Sequence, residues 1–143
     1  MTIIFRSPKS DEEFASYFEF RWQQLRKPLG FERGSEQDEL EDSAFHIAAF
    51  NKKEVVGVGR IQIENNHTSR IRYMAVDSNF KNQGIGSGIL EQLEAIARAN
   101  KVSLCWLLAR ENAVAFYLKN KYEIKGIAKS ELPIPHLRMQ KEL

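Results

Sequence analysis

The sequence holds one cysteine in 143 residues, so no disulfide can form within the chain, and a reducing, cytoplasmic setting is the expectation. That residue, Cys105, lies in the apolar run "VSLCWLLA", the place of a core residue and not of a nucleophile. A run of apolar residues long enough to span a bilayer is also missing, so no membrane partner is expected. The opening stretch "MTIIFRSPKSDEEF" lacks the basic region and long apolar segment of a signal peptide. Charge of one sign is absent too. Lys and Arg number 21 against 19 Asp and Glu, and a net charge of +2 argues against nucleic acid as a partner. With no repeat, low-complexity stretch or linker, residues 1–143 read as one domain around one core.

What is present alternates between strand and helix patterns. "TIIFR" reads as a strand. Ser10 and Glu13 have capping-box spacing ahead of Phe14, Phe18, Trp22 and Leu25, which recur at helical intervals with Arg21 and Arg26 flanking them. Pro28 and Gly30 stop that helix. Residues 31–43 are polar and acidic and read as a loop with at most a short helix. "AFHIAAF" and "EVVGVGRIQIE" form a hairpin about "NKK", and Gly57 and Gly59 predict a bulge or close packing. "SRIRYMAV" is a fourth strand. A helix over about 84–100 follows, with Ile85, Ile89, Leu93, Ile96 and Ala97 as its buried stripe. "KVSLCWLLA" reads as a central strand covered on both faces. "NAVAFYLKNK" is a short helix with Asn112 as its N-cap, and "YEIKGIA" and "HLRMQKEL" are closing strands. Hairpins first and a strand–helix–strand crossover later predict an α/β protein with a mixed central sheet.

The stretch "NFKNQGIGSGIL", residues 79–90, carries the strongest signal. Gly84, Gly86 and Gly88 alternate where a helix begins, although glycine is a poor helix former. Helix starts expose unpaired N–H groups and a positive dipole end. Removing side chains there lets a phosphate approach, and the rival reading is a plain surface turn. The Walker pattern does not fit, since no Lys follows Gly88. The dinucleotide fingerprint would need Gly where Ile89 stands.

"YMAVDSNFKNQGIGSGIL" resembles the acyl-CoA-binding motif of the GNAT N-acetyltransferase superfamily: strand, short loop, Arg/Gln-x-x-Gly-x-Gly/Ala, helix. The six motif positions are Lys81, Asn82, Gln83, Gly84, Ile85 and Gly86, with Lys81 where the family has Arg or Gln. "ENAVAFYLKNKYEIKG" is similar to the family's later Asn, Ala and Tyr region through Asn112 and Tyr117, while Lys121 and Tyr122 replace its Gly-Phe. The resemblance implies a mostly antiparallel mixed sheet with flanking helices and splayed middle strands, and acyl-CoA in the wedge between the fourth and fifth. It implies a pyrophosphate on the amides of residues 83–88, including Ser87 and Gly88. The backbone of Met74, Ala75 and Val76 would pair with the pantetheine arm, and Asn112 would contact the cofactor. No metal is implied.

The implied reaction moves an acetyl group from acetyl-CoA to an amine, on a small molecule or a peptide, by direct attack. Tyr117 would protonate the departing thiolate. "CWLLARE" offers no acid before Glu111, so His136 in "LPIPHLRM" is the candidate base, ahead of Glu64 and His46. Acceptor recognition would fall to Arg21, Trp22, Arg26, Arg33, the acidic run 36–42 and "SELPIPH", whose charges conflict in sign. A homodimer is compatible with this reading. Two alternatives stay open: a non-catalytic acyl-CoA-binding module of the same fold, and a nucleotide-binding α/β domain.

Overall fold

The computed structural model describes residues 2–130 and 132–143. Glu131, inside the late loop "SELPIPH", lies outside the described residues. The strands are β1 (Ile3–Arg6), β2 (Phe45–Asn51), β3 (Glu54–Ile63), β4 (Thr68–Val76), β5 (Leu104–Arg110), β6 (Glu123–Ala128) and β7 (His136–Glu142). The α-helices are α1 (Asp11–Leu25), α2 (Ile85–Ala99) and α3 (Val114–Lys119). All seven strands join one sheet in the order β1-β2-β3-β4-β5-β7-β6. Every neighbouring pair is antiparallel except β4 and β5, which are parallel because α2 connects them as a crossover.

The hairpin β2–β3 turns at Lys52 and Lys53, with Lys52 in the left-handed region at φ 57°. Both readings of the strand glycines hold. A Cβ on Gly57 would come within 2.8 Å of Ile89 Cδ1, and one on Gly59 within 2.7 Å of Ile89 Cγ2. The helix α2 therefore lies close against β3. Its stripe of Ile85, Ile89, Leu93 and Ala97 packs on Ile71, Leu107 and Met139 and makes the core of that face. The opposite face is covered by α1 over β2, β3 and β4, around Tyr17, Ala48, Phe50 and Val58.

Three local expectations are corrected. Ser10 does cap α1, accepting the Glu13 N–H at 3.1 Å. The reciprocal half of the capping box is missing, because the Glu13 carboxylate instead accepts from Arg6 at 2.8 and 2.7 Å and from the Lys9 N–H. On α1 the buried residues are Tyr17 and Arg21, whereas Phe14, Phe18, Trp22 and Leu25 are half-buried. A cation replaces part of the apolar stripe because carboxylates from the following loop reach it. Finally, β5 is not covered on both faces. Cys105, Leu107 and Ala109 are buried under α2, while Trp106 and Leu108 on the α1 side are half-exposed. Past the end of α1 that side of β5 is dressed by polar groups: Arg70 and Arg138 lie 4.6 and 4.1 Å from the Trp106 ring, and its Nε1 donates to Glu64.

Candidate active site

Strands β4 and β5 pair only from Thr68 to Arg70, against Leu104 to Trp106. Beyond Arg70 each strand goes on, β4 to Val76 and β5 to Arg110, without pairing to the other. A cavity of about 770 Å³ occupies this wedge. Met74, Ala75 and Val76 line it, while Ala75 and Val76 pair with β3 along their other edge. The backbone of β4 facing the wedge is thus an open edge, and an extended chain bearing amide groups can add to it as a strand would.

A bulge re-aims this edge. Val58 faces Ala75 and Arg60 faces Arg72, so Tyr73 and Met74 together oppose Gly59 alone. Tyr73 takes up the extra residue in the left-handed region at φ 58°, an uncommon conformation for a bulky side chain. Its ring supports the strain, with the guanidinium carbons of Arg21, Arg72, Arg60 and Arg26 at 4.1, 4.8, 4.9 and 5.3 Å from its centre. Nothing in the sequence pattern of β4 marks Tyr73.

The start of α2 forms the next wall. Asn82 and Gly84 have φ of 61° and 76°, and the helix has no side-chain cap. The N–H groups of Ile85, Gly86 and Ser87 are therefore without intrahelical partners, at the positive end of a 15-residue helix. These three, with Gly84, Asn82 and Lys81, line the cavity. Gly88 is placed differently. Its N–H donates to Gly84 O at 2.9 Å, and a Cβ there would stand 2.4 Å from the Phe5 ring. Its missing side chain makes room for β1, so the expected phosphate amide at Gly88 is corrected. Gln83 is exposed and does not line the cavity.

Asn112 lines the cavity, but not as an N-cap. Residues Glu111–Ala113 form a 3₁₀ turn, α3 starts at Val114, and Ala113 stands at its cap position. Tyr117 enters from α3, buried, its ring packed against Phe116 and Tyr122 at 5.0 and 5.7 Å. Among the described residues its hydroxyl has no hydrogen-bond partner, and burial pushes its pKa well above that of an ordinary phenol. At neutral pH it is a protonated donor at the cavity wall.

His136 opens β7 and is paired in register with Arg110 of β5. It is buried and lines the cavity. Its Nδ1 lies 2.9 Å from Ile134 O, and a carbonyl only accepts, so Nδ1 carries the hydrogen. In the neutral ring Nε2 then has the free lone pair, the requirement for a base. The other two candidates are excluded by their contacts. His46 has both ring nitrogens engaged, Nδ1 with the Tyr17 hydroxyl at 2.9 Å and Nε2 with Glu41 O at 2.7 Å. Glu64 is held by Trp106 and lies outside the cavity lining.

Two carboxylates of the acidic run, expected to help recognise the acceptor, are instead engaged by buried arginines. Asp38 accepts from Arg60 at 2.7 and 3.0 Å and from Arg72 at 3.2 Å, and Glu41 accepts from Arg21 and Arg60 at 2.8 and 2.9 Å. Burial would raise the Asp38 carboxyl, but the Arg60 hydrogen bonds, the Leu40 N–H and the charges of Arg60 and Arg72 outweigh it and hold the pKa at about 2. Arg21 is therefore a buried structural cation, 0% exposed, and not an acceptor contact. Trp22 and Arg33 stack on the outer side of α1, where Arg33 pairs with Glu19, and neither lines the cavity. Arg26 does line it. A smaller cavity of about 240 Å³ adjoins on the α1 side, sharing Arg26, Arg72, Tyr73 and Leu132 with the larger one.

Residues 9–122 match the sequence profile of the acetyltransferase (GNAT) family. The chain belongs to that family. It is 28% identical over 135 residues to YjcF, an uncharacterized N-acetyltransferase of Bacillus subtilis (strain 168), covering 94% of this chain and 96% of that one. The fold is similar to that of an aminoglycoside 6′-N-acetyltransferase complexed with coenzyme A, with a TM-score of 0.80, 15% identity and coverage of 99% and 97%. It is also similar to PaiA N-acetyltransferase from Thermoplasma acidophilum in complex with coenzyme A, with a TM-score of 0.76, 14% identity and full coverage of both chains. As a GNAT member, the chain has a mixed, mostly antiparallel sheet with flanking helices. None of the helices of the described residues is long and apolar enough to cross a membrane.

Proposed function

We propose that this GNAT protein is an N-acetyltransferase that uses acetyl-CoA and an amine acceptor. The reading is carried by one observation: the open edge of β4 and the uncapped start of α2 face the same 770 Å³ cavity. The amides of Ile85, Gly86 and Ser87 suit a pyrophosphate, with Lys81 and Lys119 adding positive charge, and the backbone of Met74, Ala75 and Val76 suits the amide-bearing pantetheine arm.

Acetyl-CoA supplies an activated thioester, and the amine nitrogen attacks its carbonyl carbon. The C–N bond forms, the C–S bond breaks, and sulfur leaves as the thiol. Tyr117 is suited to give sulfur its proton by position, since its hydroxyl lies at the cavity wall, is protonated at neutral pH and has no competing partner among the described residues. His136 Nε2 is suited to take the proton that the amine must lose, since an aliphatic ammonium with a pKa near roughly 10 is not a nucleophile at pH 7.

The test is a thiol-release assay with acetyl-CoA against amino acids, polyamines, amino sugars and peptides, run beside thermal melting. CoA at 100 times its dissociation constant should stabilise the fold by about 2.7 kcal/mol. Stabilisation by CoA with no thiol release on any amine would make the protein a binding module. Stabilisation by ATP or NAD and not by CoA would overturn the cofactor assignment.

A further inference from the structure

The Tyr17 hydroxyl sits at a crossing of three elements. It comes from α1, is 0% exposed and accepts a hydrogen bond from Arg21 Nη2 at 3.0 Å. His46 Nδ1 of β2 lies 2.9 Å from the same oxygen, and Gly59 O of β3 lies 3.0 Å from it. His46 Nε2 is 2.7 Å from Glu41 O, and a carbonyl only accepts, so Nε2 carries a hydrogen. In the neutral ring Nδ1 is then an acceptor. Nδ1 and Gly59 O thus compete for one hydroxyl hydrogen, and only one of them can take it from Tyr17.

A second proton on His46 resolves the competition. Nδ1–H then donates to the Tyr17 oxygen, the hydroxyl turns its hydrogen to Gly59 O, and the two oxygen lone pairs accept from His46 and Arg21. The two states differ by one proton and one hydroxyl rotation. The charged groups about His46 are Arg21 of α1, Arg60 opposite it on β3 and Glu41 of the loop before β2. Burial and the two arginines favour the neutral ring, against the lift from Glu41. Phe14 and Phe18 pack on the ring and bring no charge. The Tyr17 phenol stays protonated, its pKa pushed up to about 12 by burial.

The cofactor edge depends on which acceptor wins. Gly59 is the residue that Tyr73 and Met74 together oppose at the bulge. Met74 packs on it so closely that a Cβ there would stand 2.7 Å from Met74 Sδ, and Met74 lines the cavity. A hydrogen bond from Tyr17 to Gly59 O therefore fixes the residue on which the bulge is seated. We infer that Tyr17 is a positioning residue for the open edge of β4, and that protonation of His46 moves its hydroxyl hydrogen from Nδ1 to Gly59 O and tightens the grip of that edge on its ligand. The ligand is CoA on the reading proposed above. By reciprocity, bound CoA makes His46 easier to protonate.

The experiment is an NMR titration of the ¹³C,¹⁵N-labelled protein from pH 8 to 5, with and without saturating CoA. The His46 ring nitrogens follow its protonation, and the Gly59 carbonyl carbon reports the hydrogen bond it gains. In the free protein the Gly59 signal should move with the His46 midpoint. CoA should bind the protonated form about threefold more tightly, raising that midpoint by about half a pH unit. CoA is itself an anion, and Tyr17→Phe separates its charge from the hydrogen bond: the ring stays, Gly59 should stop responding, and most of the CoA-dependent rise should vanish. A Gly59 carbonyl that ignores the His46 titration overturns the switch on the wild-type protein alone, whether or not the Phe variant folds. An unchanged His46 midpoint in bound CoA, or an equal rise in Tyr17→Phe, overturns the coupling to the β4 edge. Co-titration of His46 and Gly59 in a protein that CoA does not stabilise against melting keeps the switch and overturns the cofactor reading.

Discussion

Gly86 faces the ring of Phe116 so closely that a Cβ would lie 3.0 Å from Cε1. Two residues later, a Cβ on Gly88 would lie 2.4 Å from Phe5 Cζ. The two glycines look equivalent in sequence and serve different neighbours. Phe116 is a half-buried wall of the cavity, whereas Phe5 belongs to β1 and the core. Gly86→Ala should displace Phe116 and cost roughly tenfold or more in CoA affinity, about 1.4 kcal/mol. Its effect on stability should be small, because Ala recovers about 0.5–1 kcal/mol of helix propensity. Gly88→Ala should destabilise the fold by about 1–3 kcal/mol through overpacking, with CoA affinity per folded molecule nearly unchanged. Calorimetric titration and denaturant unfolding of both variants check the contrast, and an equal affinity loss in both would refute it.

Tyr117→Phe removes a hydroxyl that has no hydrogen-bond partner among the described residues, so stability should hold within about 0.5 kcal/mol. If that hydroxyl protonates the departing sulfur, turnover should fall roughly 10- to 1,000-fold while acetyl-CoA affinity stays. Rate and unfolding midpoint are measured on one preparation. Full turnover in the Phe variant would remove Tyr117 from the chemistry.

His136→Ala should lose turnover with little change in CoA affinity, since the side chain approaches the cavity from β7 and not from the α2 end. Added imidazole should restore part of the rate if Nε2 is the base. A rate restored by neither imidazole nor substituted imidazoles, with the fold intact, would assign His136 to positioning alone.

Stability should fall in two stages on acidification. His46 is neutral in the fold: burial, with Arg21 and Arg60 close by, lowers its pKa against the lift from Glu41 O, and Tyr17 occupies its other nitrogen. The unfolded chain therefore takes up this proton more readily. The His46 contribution is complete above the unfolded pKa of about 6.5 and is lost as pH falls below it. Asp38, held at about 2 against an ordinary value of 3.8, adds a second loss as pH falls below about 4. Denaturant midpoints between pH 7 and 3 would show both stages, and His46→Gln should flatten the first. An unchanged slope between pH 7 and 5 in that variant would contradict the assignment.

Much of this was written locally in the chain. Ser10 as an N-cap, the Lys52 turn, the α2 stripe and the glycine start of that helix depend on neighbours a few residues apart, and the periods of strand and helix expose them directly. The uncapped start of α2, Tyr117 and the β4 edge, which line one cavity, were singled out in the sequence for the same reason, because each is tied to a motif on one element. The half-formed capping box and the misplaced cap at Asn112 show the limit even at short range, since Arg6 outbids the helix for Glu13 and a 3₁₀ turn intervenes before α3.

Long-range pairing decided the rest. In the sequence Arg21 and the acidic run 36–42 read as contacts for an acceptor, because no local pattern shows which charges pair with one another. The fold brings them together with Arg60 from β3, and mutual neutralisation makes burial tolerable. The same is true of Tyr73, whose left-handed backbone exists only because two residues of β4 must face Gly59 alone. Arg26 and Arg110 stand 84 residues apart in sequence, and only the fold, which brings the end of α1 to the end of β5, sets both on Leu25 O. Sequence determined the elements and the cofactor motif, through interactions within a helix turn or a strand. Tertiary structure alone determined which charges are spent on one another and which line the cavity, because that depends on distances no local pattern contains.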